Sequence, residues 1–253
     1  MLTGVFVVLN SIIWIKTMNE LELQTLQEHI TALRERIATA CNNSGRNVND
    51  VTIVAASKTK PAWHIKAAYN QGIACFGENY VQELTAKHNE LSDTDIQWHC
   101  IGHLQTNKVK YIAEFITMIH SVDSFKLAEE ISKCAAKHNR TIDILLQVNT
   151  SGEQSKSGIE PNTVLDVAQQ CIPLSHIRLC GLMTLPEPHE DVELVRPEFQ
   201  QLWNLRNSIQ QELHIETCKH LSMGMSDDFE IAIQEGATMI RPGTVLFGAR
   251  VYQ

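Results

Sequence analysis

The sequence has no surplus of positive charge. Its 253 residues carry 21 Lys+Arg against 29 Asp+Glu, a net charge of −8, and no Lys/Arg cluster appears. That removes the electrostatic footprint of a general nucleic-acid binder and of a polybasic membrane-surface patch. Paired cysteines are missing as well. The seven present, Cys41, Cys75, Cys100, Cys134, Cys171, Cys180 and Cys218, are odd in number, scattered and without a C-x-x-C spacing. Neither a disulfide framework nor a zinc site fits that distribution, and buried thiols in a reducing, cytoplasmic compartment are expected. No G-x-G-x-x-G, G-x-x-x-x-G-K-[ST], H-E-x-x-H or G-x-S-x-G occurs, so dinucleotide, P-loop, zincin and nucleophile-elbow chemistry lose their signatures. A long apolar run is also absent. Residues 1–17 (MLTGVFVVLNSIIWIKT) are too short for a comfortable bilayer span and are interrupted by Asn10, Ser11 and Lys16. They lack the basic n-region and small-residue cleavage site of a secretory signal. They read as an extension ahead of a start at Met18, with an interfacial anchor or a docked extra strand as competing readings.

What remains is 43% apolar and 20% charged, an ordinary globular composition. From Asn19 to Cys41, Leu21, Leu23, Leu26, Ile30, Leu33, Ile37 and Ala40 recur at roughly helical spacing, which predicts a long amphipathic helix stopped by Asn42-Asn43-Ser44-Gly45. Val51–Ser57 is a near-continuous apolar, β-branched run, the pattern of a strand covered on both faces. Pro61 is expected just inside the following helix, which runs to about Gln71.

The alternation then repeats. Strands are expected at Ala74–Gly77, Ile96–Ile101, Met118–Val122, Ile142–Val148, Ile177–Thr184, His220–Gly224 and Thr238–Arg241. Helices are expected at Tyr80–Glu90, Lys108–Phe115, Phe125–His138, Pro161–Cys171, Val192–Leu213 and Asp227–Gly236. Eight βα units predict an α/β protein, a single (β/α)8 TIM barrel with an extra N-terminal helix, its chemistry at the C-terminal strand ends. A doubly wound open sheet is the rival. Residues 18–253 read as one domain.

Three strand ends carry chemistry. In Ser57-Lys58-Thr59-Lys60-Pro61, alternation puts Lys58 on one face with Thr52, Val54 and Ala56. If that face lines a barrel, burial and nearby Lys60 lower the lysine pKa, and a neutral amine attacks an aldehyde to form a Schiff base. If the strand ends earlier, Lys58 is a solvated loop lysine. Leu221-Ser-Met-Gly-Met-Ser226-Asp-Asp ends a strand and opens a helix that Ser226 can cap, with outward N–H groups suited to a phosphate, provided Asp227 and Asp228 point away. Ile240-Arg-Pro-Gly243-Thr244 ends the next strand. The loops after strands seven and eight are the common phosphate site of barrels. Arg241 suits a phosphate, a ring nitrogen or simply a carboxylate. His99 and His103 flank Cys100 but not on one helical face, so satisfied or loop histidines fit them better than metal ligands. An aldehyde bearing a phosphate is implied, and pyridoxal 5′-phosphate is such a molecule.

The sequence here resembles the YggS/PROSC family of pyridoxal phosphate homeostasis proteins. The matching stretches are Val54-Ala-Ala-Ser-Lys-Thr-Lys-Pro61, Phe76-Gly-Glu-Asn-Tyr-Val-Gln-Glu83, Gln97-Trp-His-Cys-Ile-Gly102, Leu104-Gln-Thr-Asn-Lys108, Gln147-Val-Asn149 and Ser155-Lys-Ser-Gly158. They continue through Gly181-Leu-Met183, Leu221–Asp228 and Arg241–Arg250. The resemblance covers the chain from about Met18 and implies specific roles. Lys58 holds the cofactor covalently. Ser226, Gly243 and Thr244 contact the phosphate, with Ser222, Met223 and Gly224 shaping that loop. Arg241 faces the pyridine nitrogen, and Asn79 and Met183 line the pocket.

A carrier is expected rather than a strong catalyst. A guanidinium stays protonated, so an arginine on the ring nitrogen leaves that nitrogen neutral and weakens the electron sink. The resembling racemases carry a second, β-rich domain with a catalytic tyrosine, which this chain is expected to lack, and no acid–base pair stands out around Lys58. The expected partners are pyridoxal phosphate and, as recipients, apo forms of pyridoxal phosphate enzymes, with the carrier a monomer or weak dimer. A racemase or transaminase of low activity, and a Schiff-base aldolase on phosphorylated sugars, are the alternatives.

Overall fold

The computed structural model describes residues 3–153 and 157–248, with side chains from residue 20. Eight strands follow in chain order: β1 (Thr52–Ala56), β2 (Cys75–Glu78), β3 (Gln97–Cys100), β4 (Met118–Val122), β5 (Ile142–Gln147), β6 (Ile177–Met183), β7 (His220–Ser222) and β8 (Met239–Ile240). Each pairs in parallel with the next, and β8 pairs with β1, closing a barrel. Closure excludes the open doubly wound sheet. The helices are α1 (Thr3–Asn43), α2 (Ala62–Asn70), α3 (Val81–Glu90), α4 (Phe125–Ala136), α5 (Val164–Cys171), α6 (Arg196–Leu213), α7 (Phe229–Gln234) and α8 (Thr244–Phe247).

Two sequence expectations shift locally. Pro61 is the N-cap of α2 rather than its first helical residue. The helix expected at Lys108–Phe115 is instead a 3-10 turn, Thr106–Tyr111. Arg140 takes the Ala113 and Ile116 carbonyls at 2.9 and 2.8 Å, and the Thr117 N–H already pairs with Trp98. The groups that would extend that helix are therefore committed elsewhere.

α1 packs by a seam of Leu26, Ile30, Leu33, Ile37 and Ala40, all buried, each large side chain worth about 1.5–3 kcal/mol. Leu21 and Leu23, expected on that face, are 62% and 43% exposed, so the seam begins at Leu26. Residues 3–17 continue the same helix, which removes the docked-strand reading. Contacts with the barrel's end close the packing: Arg36 pairs with Glu230 of α7 at 2.6 Å, and Leu246 O of α8 lies 3.2 Å from His29 Nδ1.

Strand parity sorts the side chains. Outward residues such as Ala55, Phe76, Trp98, Ile119 and Leu221 join the core beneath the helices. Inward ones, Val54, Cys75, Ile101, Met118, Leu145, Cys180, Met183 and Met239, fill the barrel with Ala56 against them. Inward parity also buries His99, His120, Ser222 and Arg241. All seven cysteines are buried and unpaired, and burial pushes the Cys100 thiol up to about 12, so none has the character of a reactive thiolate. Among the described residues, no helix is long and apolar enough to cross a membrane, and no cluster suited to a metal ion occurs.

Candidate functional site

A cavity of about 450 Å³ opens at the C-terminal ends of the strands, lined among others by Ala56, Lys58, Asn79, His103, Met225 and Arg241. This is the face where a barrel's loops carry chemistry. Lys58 lies two residues beyond the end of β1, in a turn, and is half-buried. It keeps the inward parity of Val54 and Ala56, so it reaches the cavity although the strand has ended. Asn79, one residue after β2, stands level with Lys58 by the Ala56–Gly77 register. A Cβ on Gly102 would lie 2.6 Å from Asn79 O, so glycine there lets the β3 loop press against the β2 loop in the cavity wall.

Arg241 is buried in the wall. It donates from Nη1 to Ser222 Oγ at 2.6 Å and from Nη2 to Thr184 O at 2.7 Å. Ser222 Oγ lies 2.8 Å from His120 Nδ1, and His120 Nε2 lies 2.8 Å from His99 Nδ1. A guanidinium only donates, so the assignment in which Ser222 keeps its own proton for His120 is directional, and it leaves the proton on His99 Nε2 buried without a hydrogen-bond partner among the described residues. Ser222 accepts from Arg241 and donates to His120, which donates to His99. Burial lowers His99 to about 4, against the opposing charge of Asp143. Burial, with His99 and Arg241 nearby, holds His120 well below the usual imidazole range. Both rings are neutral at neutral pH. Burial lowers Arg241 to about 10, which leaves it a cation there.

The third part is a ring of donors at the start of α8. Ser226 Oγ accepts from Gly243 N at 3.1 Å and Val245 N at 3.2 Å, with Thr244 Oγ1 at 3.2 Å. Two amides and a hydroxyl converging on one oxygen suit an oxyanion. The ring adjoins the cavity through Ala56: its N–H donates to Pro242 O at 2.9 Å, and its carbonyl lies 3.5 Å from where a Cβ of Gly243 would stand.

Several sequence expectations are relocated. Ser226 does not cap the helix that follows it, because α7 has Asp228 at its N-cap and no side-chain cap bond. Its hydroxyl serves α8 instead. Asp228 is buried and accepts Met225 N at 2.5 Å, closing its own turn rather than entering the donor ring. Ser222 is spent on Arg241 and His120 beneath the cavity. Met223 has outward parity and joins the core under the helices, and Met183 lies within the barrel interior. Gly224 shapes its loop through a φ of +89°. Ser155, Lys156, Ala249 and Arg250, part of the motif stretches, lie outside the described residues.

Sequence reasoning also missed residues. His103 Nδ1 lies 3.4 Å from Asp123 Oδ2 at the cavity, and Ser124 Oγ donates to Asp123 Oδ1 at 3.2 Å. His103 lines the same cavity as Lys58, with its side chain 58% exposed. No sequence signal joins His103 to Asp123, since they follow different strands. Parity marks His99 and His120 as inward, and the pairing of β3 with β4 places them together.

The sequence matches the alanine racemase, N-terminal domain family over residues 22–251. It is 46% identical over 225 residues to the pyridoxal phosphate homeostasis protein of Aquifex aeolicus, spanning 89% of this chain and 98% of that one. With the protein of the same name from Pseudomonas aeruginosa it shares 42% over 230 residues, 91% of this chain and 98% of that one. PipY of Synechococcus elongatus, solved with PLP bound, is similar at a TM-score of 0.78 and 35% identity, covering 88% of this chain and 100% of that one. Alanine racemase from Corynebacterium glutamicum shares the fold at a TM-score of 0.68 and 14% identity, covering 90% of this chain and 61% of that one.

Proposed function

The chain belongs to the pyridoxal phosphate homeostasis proteins, within the alanine racemase N-terminal domain family, and from that premise we propose that it binds pyridoxal 5′-phosphate in this cavity, covalently on Lys58, and buffers or delivers it. One observation carries the reading: an inward lysine lines the cavity, and a ring of oxyanion donors on the neighbouring strand's loop adjoins it across Ala56. The ligand supplies an aldehyde on an electron-withdrawing ring. Lys58 offers the amine to that aldehyde. Gly243, Thr244, Val245 and Ser226 hold the phosphate. Asn79 lines the wall, and Arg241 presents its remaining donors to the ring nitrogen or to the phosphate. A guanidinium there keeps the ring nitrogen neutral, which favours holding the ligand over turning it into a strong electron sink.

Apo enzymes as recipients, a monomeric or weakly dimeric state and a cytoplasmic workplace belong to the same reading. The seven unpaired, buried thiols support that workplace. To test binding, the purified protein is loaded, reduced with borohydride and mapped by peptide mass spectrometry. The adduct is expected on Lys58; an adduct on Lys60 or Lys156 instead would overturn the assignment.

The His103–Asp123 pair favours a second reading, slow amino-acid turnover. Loaded protein incubated with L-alanine decides between them. Sustained racemisation or transamination that disappears in His103→Asn supports the enzyme. Activation of an apo enzyme beyond that given by free cofactor at matched concentration, with no turnover, supports the carrier.

A further inference from the structure

The turn bearing Lys58 is not held by the barrel ladder. The last strand-like bond is Ser57 N to Gly77 O at 3.0 Å, and Lys60 N returns to Ser57 O at 3.0 Å to close the turn. Between them Thr59 sits at φ +66°, in the left-handed region that non-glycine residues avoid. Something outside the turn must hold it there.

Behind it, on the helix side of β2, lies a buried charged group. Lys87 of α3 donates to Ser57 O at 2.9 Å, Glu78 Oε1 at 2.7 Å and Glu83 Oε2 at 3.1 Å. Its three protons are therefore all used. Glu78 Oε1 also accepts from Ser57 Oγ at 2.6 Å, and Glu83 Oε2 from Thr59 N at 2.9 Å. Three of these five bonds end on Ser57 or Thr59, the two neighbours of Lys58. A group serving only to fasten α3 to β2 would not need them. Glu78 is fully buried and Lys87 nearly so. Burying such charges is costly enough that a well-packed apolar cluster often matches them in stability. The ion group therefore makes more sense as a device for geometry.

We infer that Lys87, acting through Glu78 and Glu83, is the positioning residue that fixes the Ser57–Lys58–Thr59 turn so that Lys58 enters the cavity. This rests on the reading of Lys58 as the covalent group. Burial raises the Glu78 carboxyl, with Lys87 and Ser57 opposing it, so removal of Lys87 leaves that carboxyl buried without its counter-charge.

The test uses the full chain as Lys87→Met and, because that variant risks misfolding, as Glu83→Ala, which loses the grip on Thr59 at a partly exposed site. Two quantities are read: the rate of borohydride-trappable capture of pyridoxal phosphate on Lys58, and the affinity for pyridoxine 5′-phosphate, which has the ring and phosphate but no aldehyde. Capture is expected to slow about tenfold in Glu83→Ala, equivalent to about 1.4 kcal/mol, and further in Lys87→Met if it folds. Analogue affinity is expected to stay within about twofold, since the analogue has no aldehyde and makes no bond to Lys58. Proportional loss of both, or no change in either, overturns the positioning role. A wild-type protein that forms no Lys58 adduct, while still binding the analogue, refutes the covalent reading and this inference with it.

Discussion

The two sides of the cavity are held by different physics. The Lys58 turn is gripped by buried charge: an ammonium and two carboxylates of which Glu78 is fully enclosed. The donor ring at α8 is held by main chain, two neutral hydroxyls and a glycine conformation, with no ionised group among its hydrogen bonds. Yet they sit on β1 and β8, which are neighbours, and Ala56 bonds directly to Pro242. On the proposed reading, an amine must be aimed at one carbon, and charged partners would aim it. A phosphate needs several convergent donors, which backbone amides at a helix start supply without buried charge. The charged side should therefore be sensitive to substitution of remote ionisable residues, and the main-chain side to loss of glycine.

The sharpest break is Lys58→Ala. Covalent capture should vanish in the borohydride experiment, while pyridoxine 5′-phosphate still binds through the α8 side. Loss of both ligands together would mean that the two sides do not work separately.

Next in size is Gly224→Ala. With φ at +89° and a Cβ only 2.6 Å from that of Ala232, backbone strain and overpacking together should cost about 3 kcal/mol. For a chain of this length that is roughly 6–12 °C in thermal midpoint. A smaller shift would show that the loop relaxes, and that its conformation is not what holds the donor ring.

Arg241 lines the same cavity and is joined through Ser222 to the histidine chain, which brings in pH. His99 is lowered to about 4 in the fold and titrates near 6.5 when unfolded. The unfolded chain thus binds more protons below pH 6.5, and stability falls as pH drops from about 6.5 towards 4. Between pH 7.5 and 5 this single group should remove about 2 kcal/mol. His120 acts in the same direction. Denaturant melts across that range check it, and His99→Leu should flatten the dependence.

The smallest effect expected is that of Ser226→Ala. Loss of one hydroxyl from the donor ring should weaken cofactor affinity about tenfold, or about 1.4 kcal/mol. Equilibrium titration decides the sign. Tighter binding would mean that the hydroxyl competes with the phosphate for the amides of Gly243 and Val245 rather than adding to them.

Much of the barrel was legible because its signals are local. Apolar runs such as Thr52–Ala56 and Ile142–Gln147 announce strands wherever they occur, and their alternation with amphipathic stretches implies parallel strands, whose closure into a barrel the structure decides. Lys58, Arg241, Gly243 and Thr244 were legible because strand-end position and residue chemistry coincide. The seam of α1 was overextended to Leu21 and Leu23, since helical spacing shows which residues share a face but not where the partner surface begins.

By itself, then, the sequence determined the number and order of the βα units and the residue types at the ends of the first and the last two strands. Only the tertiary structure decided which side chains meet. Ser226 serves α8 instead of α7, His120 reaches Ser222 across 102 positions, His103 finds Asp123, and Lys87 grips the turn thirty residues before it. The physical reason is that periodicity is a property of neighbouring residues, whereas these hydrogen bonds exist only once eight strands have closed in one register. Buried polar groups must then find partners, wherever in the chain those partners lie.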